Sequence, residues 1–134
     1  MIDNILITNL KKIEVKEGNV LHFMKASEDG FSQFGEAYFS KIKYKKIKGW
    51  KLHKKMRMNI CVPVGEVKFV LFLNEKFEEF ILNKNSYILT IYPKTWFAFQ
   101  GMSKSLSLVT NFSNILHSDK ESVTKSLSQF KYEW

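Results

Sequence analysis

The residues best suited to chemistry lie in a basic segment near the middle of the chain. Residues 41–57 carry nine lysine and arginine side chains and no acid, and His53 stands among them. An imidazole surrounded by fixed positive charge tends to stay neutral near pH 7, which suits a general base. Lysine and arginine side chains also bind phosphate oxygens. The segment therefore indicates a base beside a site for an anion.

Strand geometry predicts how this segment presents its side chains. If residues 50–58 are extended, successive side chains point to opposite faces. One face then carries Lys51, His53, Lys55 and Arg57, and the other carries Trp50, Leu52, Met56 and Met58. Two interpretations stay open at this point. The cationic face either lines a concave site for a small anion, or it is a solvated outer face of the protein.

Nucleic acid is a third possible partner for the basic segment. Lysines interleaved with Tyr44 and Trp50 could follow a phosphate backbone while the rings stack on bases. No RNA-binding or DNA-binding motif accompanies them, so a small anion is favoured and nucleic-acid binding is not expected.

The elements that position this segment are short strands. Runs of β-branched and aromatic residues recur along the chain and are separated by Gly, Pro and Asn, which is typical of a sandwich or barrel. The predicted strands cover residues 36–44, two strands within 60–73 joined around Val64-Gly65-Glu66, and then 77–82, 87–92, 96–100 and 106–112. The fold class is therefore all-β.

The tail differs from the rest of the chain. Ser118 is followed three residues later by Glu121, which fits a capping box, and Val123, Leu127 and Phe130 follow at helical spacing. We expect a short surface helix here, without a functional role.

Composition sets limits on the domain organisation and the partners. The 134 residues are 45% hydrophobic and 15% aromatic, so residues 1–134 are expected to form one domain with a packed core. The lone Cys61 lies in an apolar run and is expected to be a buried thiol, which suits a reducing cytoplasm. The net charge of +8 favours anionic partners. Neither a signal peptide nor a membrane-spanning stretch is visible, so we expect a soluble protein that makes no membrane contact.

Several stretches together resemble the dTDP-4-dehydrorhamnose 3,5-epimerase family, in particular its short sugar-epimerase-like and sugar 3,4-ketoisomerase-like members. The similar stretches are Gly35 to Ser40, Ile47 to Lys55, Val62 to Leu71, Ile91 to Phe99 and the ending Tyr132-Glu133-Trp134. The resemblance implies a cupin-type jelly roll, usually a homodimer, that binds a nucleotide-diphosphate 4-keto sugar without metal or organic cofactor. It also implies a place in surface-polysaccharide synthesis.

The resemblance further implies roles for individual residues. A histidine in the first motif removes the proton next to the keto group, and His53 falls on that position. Lys51 stands where many short relatives carry a first histidine, and its ammonium could polarise the keto oxygen. Phe97 stands where the second motif usually has another histidine.

The resemblance also implies a tyrosine that acts as the general acid and returns a proton to the sugar. Residues 106–112, where that tyrosine is expected, contain none, so Tyr38 and Tyr92 are the candidate replacements, with Tyr38 favoured. The side chains expected to contact the substrate are Arg57, Lys55, Trp50, Tyr92 and Phe97.

Several alternatives stay open from the sequence. Epimerisation at one or two carbons, ketoisomerisation, and binding of a sugar nucleotide or a protein partner without turnover all fit the pattern. A metal site is not expected, because His22, His53 and His117 are far apart in the sequence and no second ligand stands beside His53.

Overall fold

The computed structural model describes residues 4–134 and contains two five-stranded antiparallel sheets that pack face to face. The strands in chain order are β1 (Ile5–Asn9), β2 (Lys11–Ile13), β3 (Val20–His22), β4 (Glu36–Ile42), β5 (Ile47–His53), β6 (Met58–Val64), β7 (Glu66–Leu73), β8 (Lys76–Asn83), β9 (Tyr87–Ile91), β10 (Trp96–Gly101), β11 (Ser107–Ser113) and β12 (Ser122–Thr124). The first sheet has the order β1-β9-β6-β11-β4, and the second has the order β12-β5-β10-β7-β8. Strands β2 and β3 form a separate hairpin.

The main core lies between the two sheets. Alternate residues of each strand point inward, so β7 contributes Val67, Phe69 and Leu71, and β6 contributes Met58 and Ile60 from the facing sheet. Removing these side chains from water is the main favourable contribution to folding.

A second apolar cluster covers the outer face of the second sheet. Trp50, Val70 and Ala98 are fully buried there, beneath aromatic residues of the tail. The covering side chains include Phe130 and Trp134, whose ring centroids lie 5.1 Å and 5.9 Å from that of Trp50. Strands β7 and β10 of this sheet therefore carry apolar side chains on both faces.

The predicted all-β jelly roll is confirmed, and the predicted strands from residue 36 to residue 112 match observed strands. The turn expected within residues 60–73 is made at Gly65, which has a φ of +80°. A Cβ atom there would lie 2.2 Å from the Ser107 Oγ, so both the conformation and the space require glycine.

The expected C-terminal helix is wrong. Residues Asp119–Glu121 form a short 3-10 turn, β12 follows, and Leu127–Gln129 form a second 3-10 turn. The backbone of β12 pairs with the otherwise free edge of β5, and this pairing competes with the hydrogen bonds of a helix. No helix in residues 4–134 combines the length and the apolar character needed to cross a membrane.

The extended conformation considered for residues 50–58 does not hold over the whole segment. Strand β5 ends at His53 because the chain turns there to cross from the second sheet to the first, and β6 begins at Met58. The alternation predicted from residue 50 is therefore lost between residues 54 and 57. Met58 lies on an inner face, and Lys55 and Arg57 do not extend the face of His53.

The sandwich core predicts a difference between two identical substitutions. Leu71 is completely buried between the sheets, whereas Leu116 is 70% exposed. We expect Leu71→Ala to lower the free energy of unfolding by about 2–5 kcal/mol, because it leaves a cavity. Leu116→Ala should change it by no more than about 0.5 kcal/mol. Urea unfolding measures both, and equal effects would contradict the packing described here.

Candidate functional site

A cavity of about 220 Å³ opens between the two sheets. Its polar side chains come from both sheets and are Tyr38, Ser40, Lys48, Lys51, His53 and Asn111. Apolar side chains, among them Phe69, Phe97 and Phe99, form the rest of the lining. A mostly apolar cavity with a few converging polar groups is the usual form of a small-molecule site.

Strand β5 brings two of the polar groups into the cavity. Trp50 is locked into the outer cluster, so the alternation along the strand turns Lys51 and His53 inward. The two-faced pattern predicted from the sequence is therefore observed from Trp50 to His53.

A buried carboxylate holds the ring of His53. The Nδ1 atom of His53 is hydrogen-bonded to Oε1 of Glu121, and the two side chains are 5% and 8% exposed. The other oxygen of Glu121, Oε2, accepts the backbone N–H groups of Lys55 and Met56 at 3.1 Å and 3.2 Å. Both oxygens of the carboxylate are therefore bonded, and they fix the orientation of the imidazole.

The surroundings favour a neutral imidazole beside an ionised carboxylate. Burial lowers the pKa of His53 below its ordinary value, and Glu121 opposes this without cancelling it, while Lys51 adds to the lowering. Burial acts to raise the pKa of Glu121, but the hydrogen bonds from His53, Lys55 and Met56 outweigh it and the pKa is lowered. Because an ionised carboxylate only accepts, Nδ1 of His53 carries the hydrogen.

The other ring nitrogen of His53 is therefore available for chemistry. Nε2 has a free lone pair in this tautomer and makes no hydrogen bond to any residue between 4 and 134. The ring stacks on Phe97, with the centroids 5.9 Å apart and the planes at 15°. These are the features of a positioned base.

Tyr38 supplies a phenol at the same cavity. It lies on β4, its side chain is partly exposed, and its hydroxyl accepts a hydrogen bond from Nδ2 of Asn111 at 3.0 Å. Burial raises the pKa of Tyr38 above its ordinary value, although the bond from Asn111 acts in the opposite direction. The phenol is therefore protonated at neutral pH.

The structure gathers some of the predicted site residues and separates others. His53, Lys51, Tyr38 and Phe97 line the one cavity. Trp50 does not, since its indole is fully buried on the opposite face of β5. The expectation that Trp50 contacts the substrate is corrected on this ground.

The remaining predicted substrate contacts lie outside the cavity lining. The guanidinium of Arg57 lies over the ring of Tyr92 at 4.7 Å, and its Nη1 donates to the carbonyl of Gly30 at 3.3 Å. Lys55 has an exposed side chain in the turn after β5. Their contacts with a substrate stay predictions.

Sequence reasoning missed Glu121 and Asn111. Glu121 lies 68 residues from His53 in the sequence and was interpreted as part of a helix cap. Asn111 offered a signal, because it shares the inward register of β11 with Val109, where a polar residue needs a partner. Within residues 4–134, no three His, Cys, Asp or Glu side chains converge as they would around a metal ion.

Comparisons with known proteins agree with this architecture. The family model described as "FdtA: WxcM-like, C-terminal" matches residues 3–133. A search of curated proteins finds no match.

Solved structures share the fold. A dTDP sugar isomerase from Desulfovibrio desulfuricans superposes with a TM-score of 0.88 at 29% identity, covering 96% of this chain and 87% of that chain. A dTDP-4-dehydrorhamnose 3,5-epimerase from Sulfolobus tokodaii gives 0.82 at 21% identity, covering 96% and 80%. The sugar 3,4-ketoisomerase QdtA from Thermoanaerobacterium thermosaccharolyticum, in complex with TDP, gives 0.81 at 18% identity, covering 92% and 89%.

That family model matches nearly the whole chain, and the fold is a cupin-type jelly roll. The protein therefore belongs to the family described as "FdtA: WxcM-like, C-terminal".

Proposed function

We propose that this protein is a nucleotide-sugar isomerase that moves a proton at a carbon next to a sugar ketone. The observation that carries the proposal is the neutral, buried His53, whose Nδ1 is held by Glu121 and whose Nε2 is free. A protonated phenol, Tyr38, and an ammonium, Lys51, line the same cavity. A base, an acid and a positive charge are the groups that enolisation needs.

The substrate we propose is a 4-keto-6-deoxy sugar linked to a nucleoside diphosphate, handled in the cytoplasm for surface-polysaccharide synthesis. The similar proteins support this choice, since one is a dTDP sugar isomerase and another was solved with TDP. The aromatic side chains of the cavity suit the apolar face of a sugar ring. Lys48 lines the cavity, and with Lys55 and Arg57 it would supply positive charge for the diphosphate.

The reaction proceeds by proton transfer alone. Nε2 of His53 takes the proton, and the electron pair of the broken C–H bond moves into the C–C bond while the carbonyl oxygen becomes an enolate. The ammonium of Lys51 stabilises that oxygen. Tyr38 then gives a proton to the enolate. Return of the proton to the same carbon from the other face gives an epimer. The isomeric ketone forms when the enolate oxygen instead takes a proton to give an enediol. The neighbouring hydroxyl then loses its own proton as its C=O bond forms, and the former keto carbon takes a proton.

A homodimer is part of the proposal. Strand β4 is at the edge of the first sheet, and it exposes 64% of Phe39 beside the cavity residue Tyr38. Exposed edges with large apolar side chains are commonly covered by a partner. Light scattering should give twice the mass of 15.8 kDa, and a monomer at micromolar concentration would contradict it.

Proton exchange with solvent tests the reaction. Incubated in heavy water with dTDP-4-keto-6-deoxyglucose, the protein should introduce deuterium next to the ketone, as read by NMR. His53→Ala should slow this by about 10²-fold or more because it removes the base. His117→Ala is the matched control, since that side chain is 55% exposed, and it should exchange at the normal rate.

A second candidate function is binding of the sugar nucleotide without turnover. It is favoured by Phe97, which stands where the related motif has a histidine. Complete absence of deuterium with the unaltered protein, together with retained binding of thymidine diphosphate in calorimetry, would support this candidate and sink the enzyme proposal.

The rate should depend on pH through His53. The base acts when neutral, so kcat/KM should rise with pH and level off, with its midpoint below 6.5 because burial lowers the pKa of His53. Glu121→Gln removes the charge that favours the imidazolium, so the midpoint should move to lower pH. The plateau should also fall by about 10²–10⁴-fold as the tautomer and orientation are lost. A midpoint that rises in Glu121→Gln would contradict the assigned pairing.

A further inference from the structure

The hydroxyl of Tyr38 has its hydrogen-bond direction set by one neighbour, Asn111. We propose that Asn111 is a positioning residue that turns the proton of Tyr38 toward the reacting sugar. The inference rests on the proposed function and goes beyond it by saying what makes Tyr38 a donor.

The two side chains meet because of strand register. Asn111 on β11 lies directly opposite Tyr38 on β4 in the antiparallel pair. Residues that face each other in this way point to the same side of the sheet, and both line the cavity. Asn111 is 2% exposed, so its amide cannot exchange these contacts for water.

The orientation of the Asn111 amide is fixed by a backbone donor. Its Oδ1 accepts the N–H of Asn59 on β6 at 3.0 Å. A backbone N–H can pair only with the oxygen of the amide, so the NH₂ group must face the other way. There it donates to the Tyr38 hydroxyl at 3.0 Å and contacts the sulfur of Met56 at 3.8 Å.

The residue that fixes Asn111 is itself held firmly. The side-chain Nδ2 of Asn59 donates to the carbonyl of Gly30 at 3.1 Å, and its Oδ1 accepts the hydroxyl of Thr90 at 2.6 Å. Asn59 and Thr90 are buried. These side-chain contacts of Asn59 hold in place its backbone N–H group, which donates to Oδ1 of Asn111.

The hydroxyl of Tyr38 must therefore act as an acceptor toward Asn111. Its own hydrogen has no protein acceptor among residues 4–134 and is free to point into the cavity. When the O–H bond breaks, the proton goes to the enolate and the electron pair stays on the phenol oxygen. The same N–H of Asn111 then stabilises the phenolate, so one contact serves both before and after the transfer.

An isosteric substitution reverses this hydrogen bond. Asn111→Asp still accepts the N–H of Asn59, but it has no hydrogen to donate, so its carboxylate takes the proton of Tyr38 as a hydrogen bond. Product formation should fall about 10²-fold, to the level of Tyr38→Phe. The double variant should be no slower than Tyr38→Phe alone, because both changes remove one proton delivery. Binding of thymidine diphosphate should change by less than about 3-fold.

The phenol titration gives a readout that a merely structural role would not move. In ultraviolet difference spectra, taken against the matching Tyr38→Phe proteins, the midpoint of Tyr38 should shift upward in Asn111→Asp. If that variant does not fold, Asn111→Ser gives the same test, since its hydroxyl is too short to reach Tyr38. Its midpoint and its rate should change in the same directions.

The outcomes separate the two proposals. Turnover that is lost in His53→Ala but normal in Asn111→Asp, or a double variant slowed by the product of the single effects, overturns the role of Asn111 alone. An unshifted titration midpoint overturns it as well. If the unaltered protein forms no product, the proposed function fails first, and the positioning role falls with it.

Discussion

The contact between the imidazole of His53 and the carboxylate of Glu121 is the constraint on which the rest of the site depends. A buried carboxylate without partners would cost several kcal/mol, so its oxygens have to be satisfied where they lie. The ring nitrogen satisfies one, and the N–H groups of Lys55 and Met56 satisfy the other. The group that selects the histidine tautomer therefore also holds the turn by which the chain leaves β5. The orientation of the His53 ring and the course of the backbone are therefore coupled through a single side chain.

The two faces of the second sheet carry different kinds of side chain. Its outer face is sealed by aromatic rings around Trp50, and its inner face presents Lys51 and His53 to the cavity. Since side chains alternate with a period of two, the indole of Trp50 on the outer face requires Lys51 and His53 to point to the inner face. A slip of one residue would bring Trp50 into the cavity and turn His53 out. The outer cluster, on the opposite face of β5, therefore determines which side chains of that strand face the cavity.

Much of this could be read from the sequence, and the failures have physical causes. Strand positions followed from alternation and turn residues. The same parity placed His53 on the face opposite Trp50, but whether that face pointed inward or out to solvent stayed open until the fold was known. The helix predicted after Ser118 failed because local spacing does not reveal that a free strand edge is available for pairing. Glu121 was missed as a site residue because its partner is distant in the chain and near only after folding. Arg57 was placed on the cationic face because the prediction assumes an extended segment past residue 53. The turn that ends β5 there is held by Glu121, whose contact with it could not be read from the sequence.

Strand β12 has a consequence for self-association. Its three residues pair with Lys51, Leu52 and His53, so they cover the backbone groups of what would otherwise be the last strand of the sheet. An uncovered strand of this kind is a template on which another polypeptide can add, and fibrous or amorphous aggregates begin in this way. The segment that contributes Glu121 therefore also covers the strand edge at which another chain could add. One short stretch of sequence therefore both fixes the ring of His53 and closes the edge of the strand that carries it.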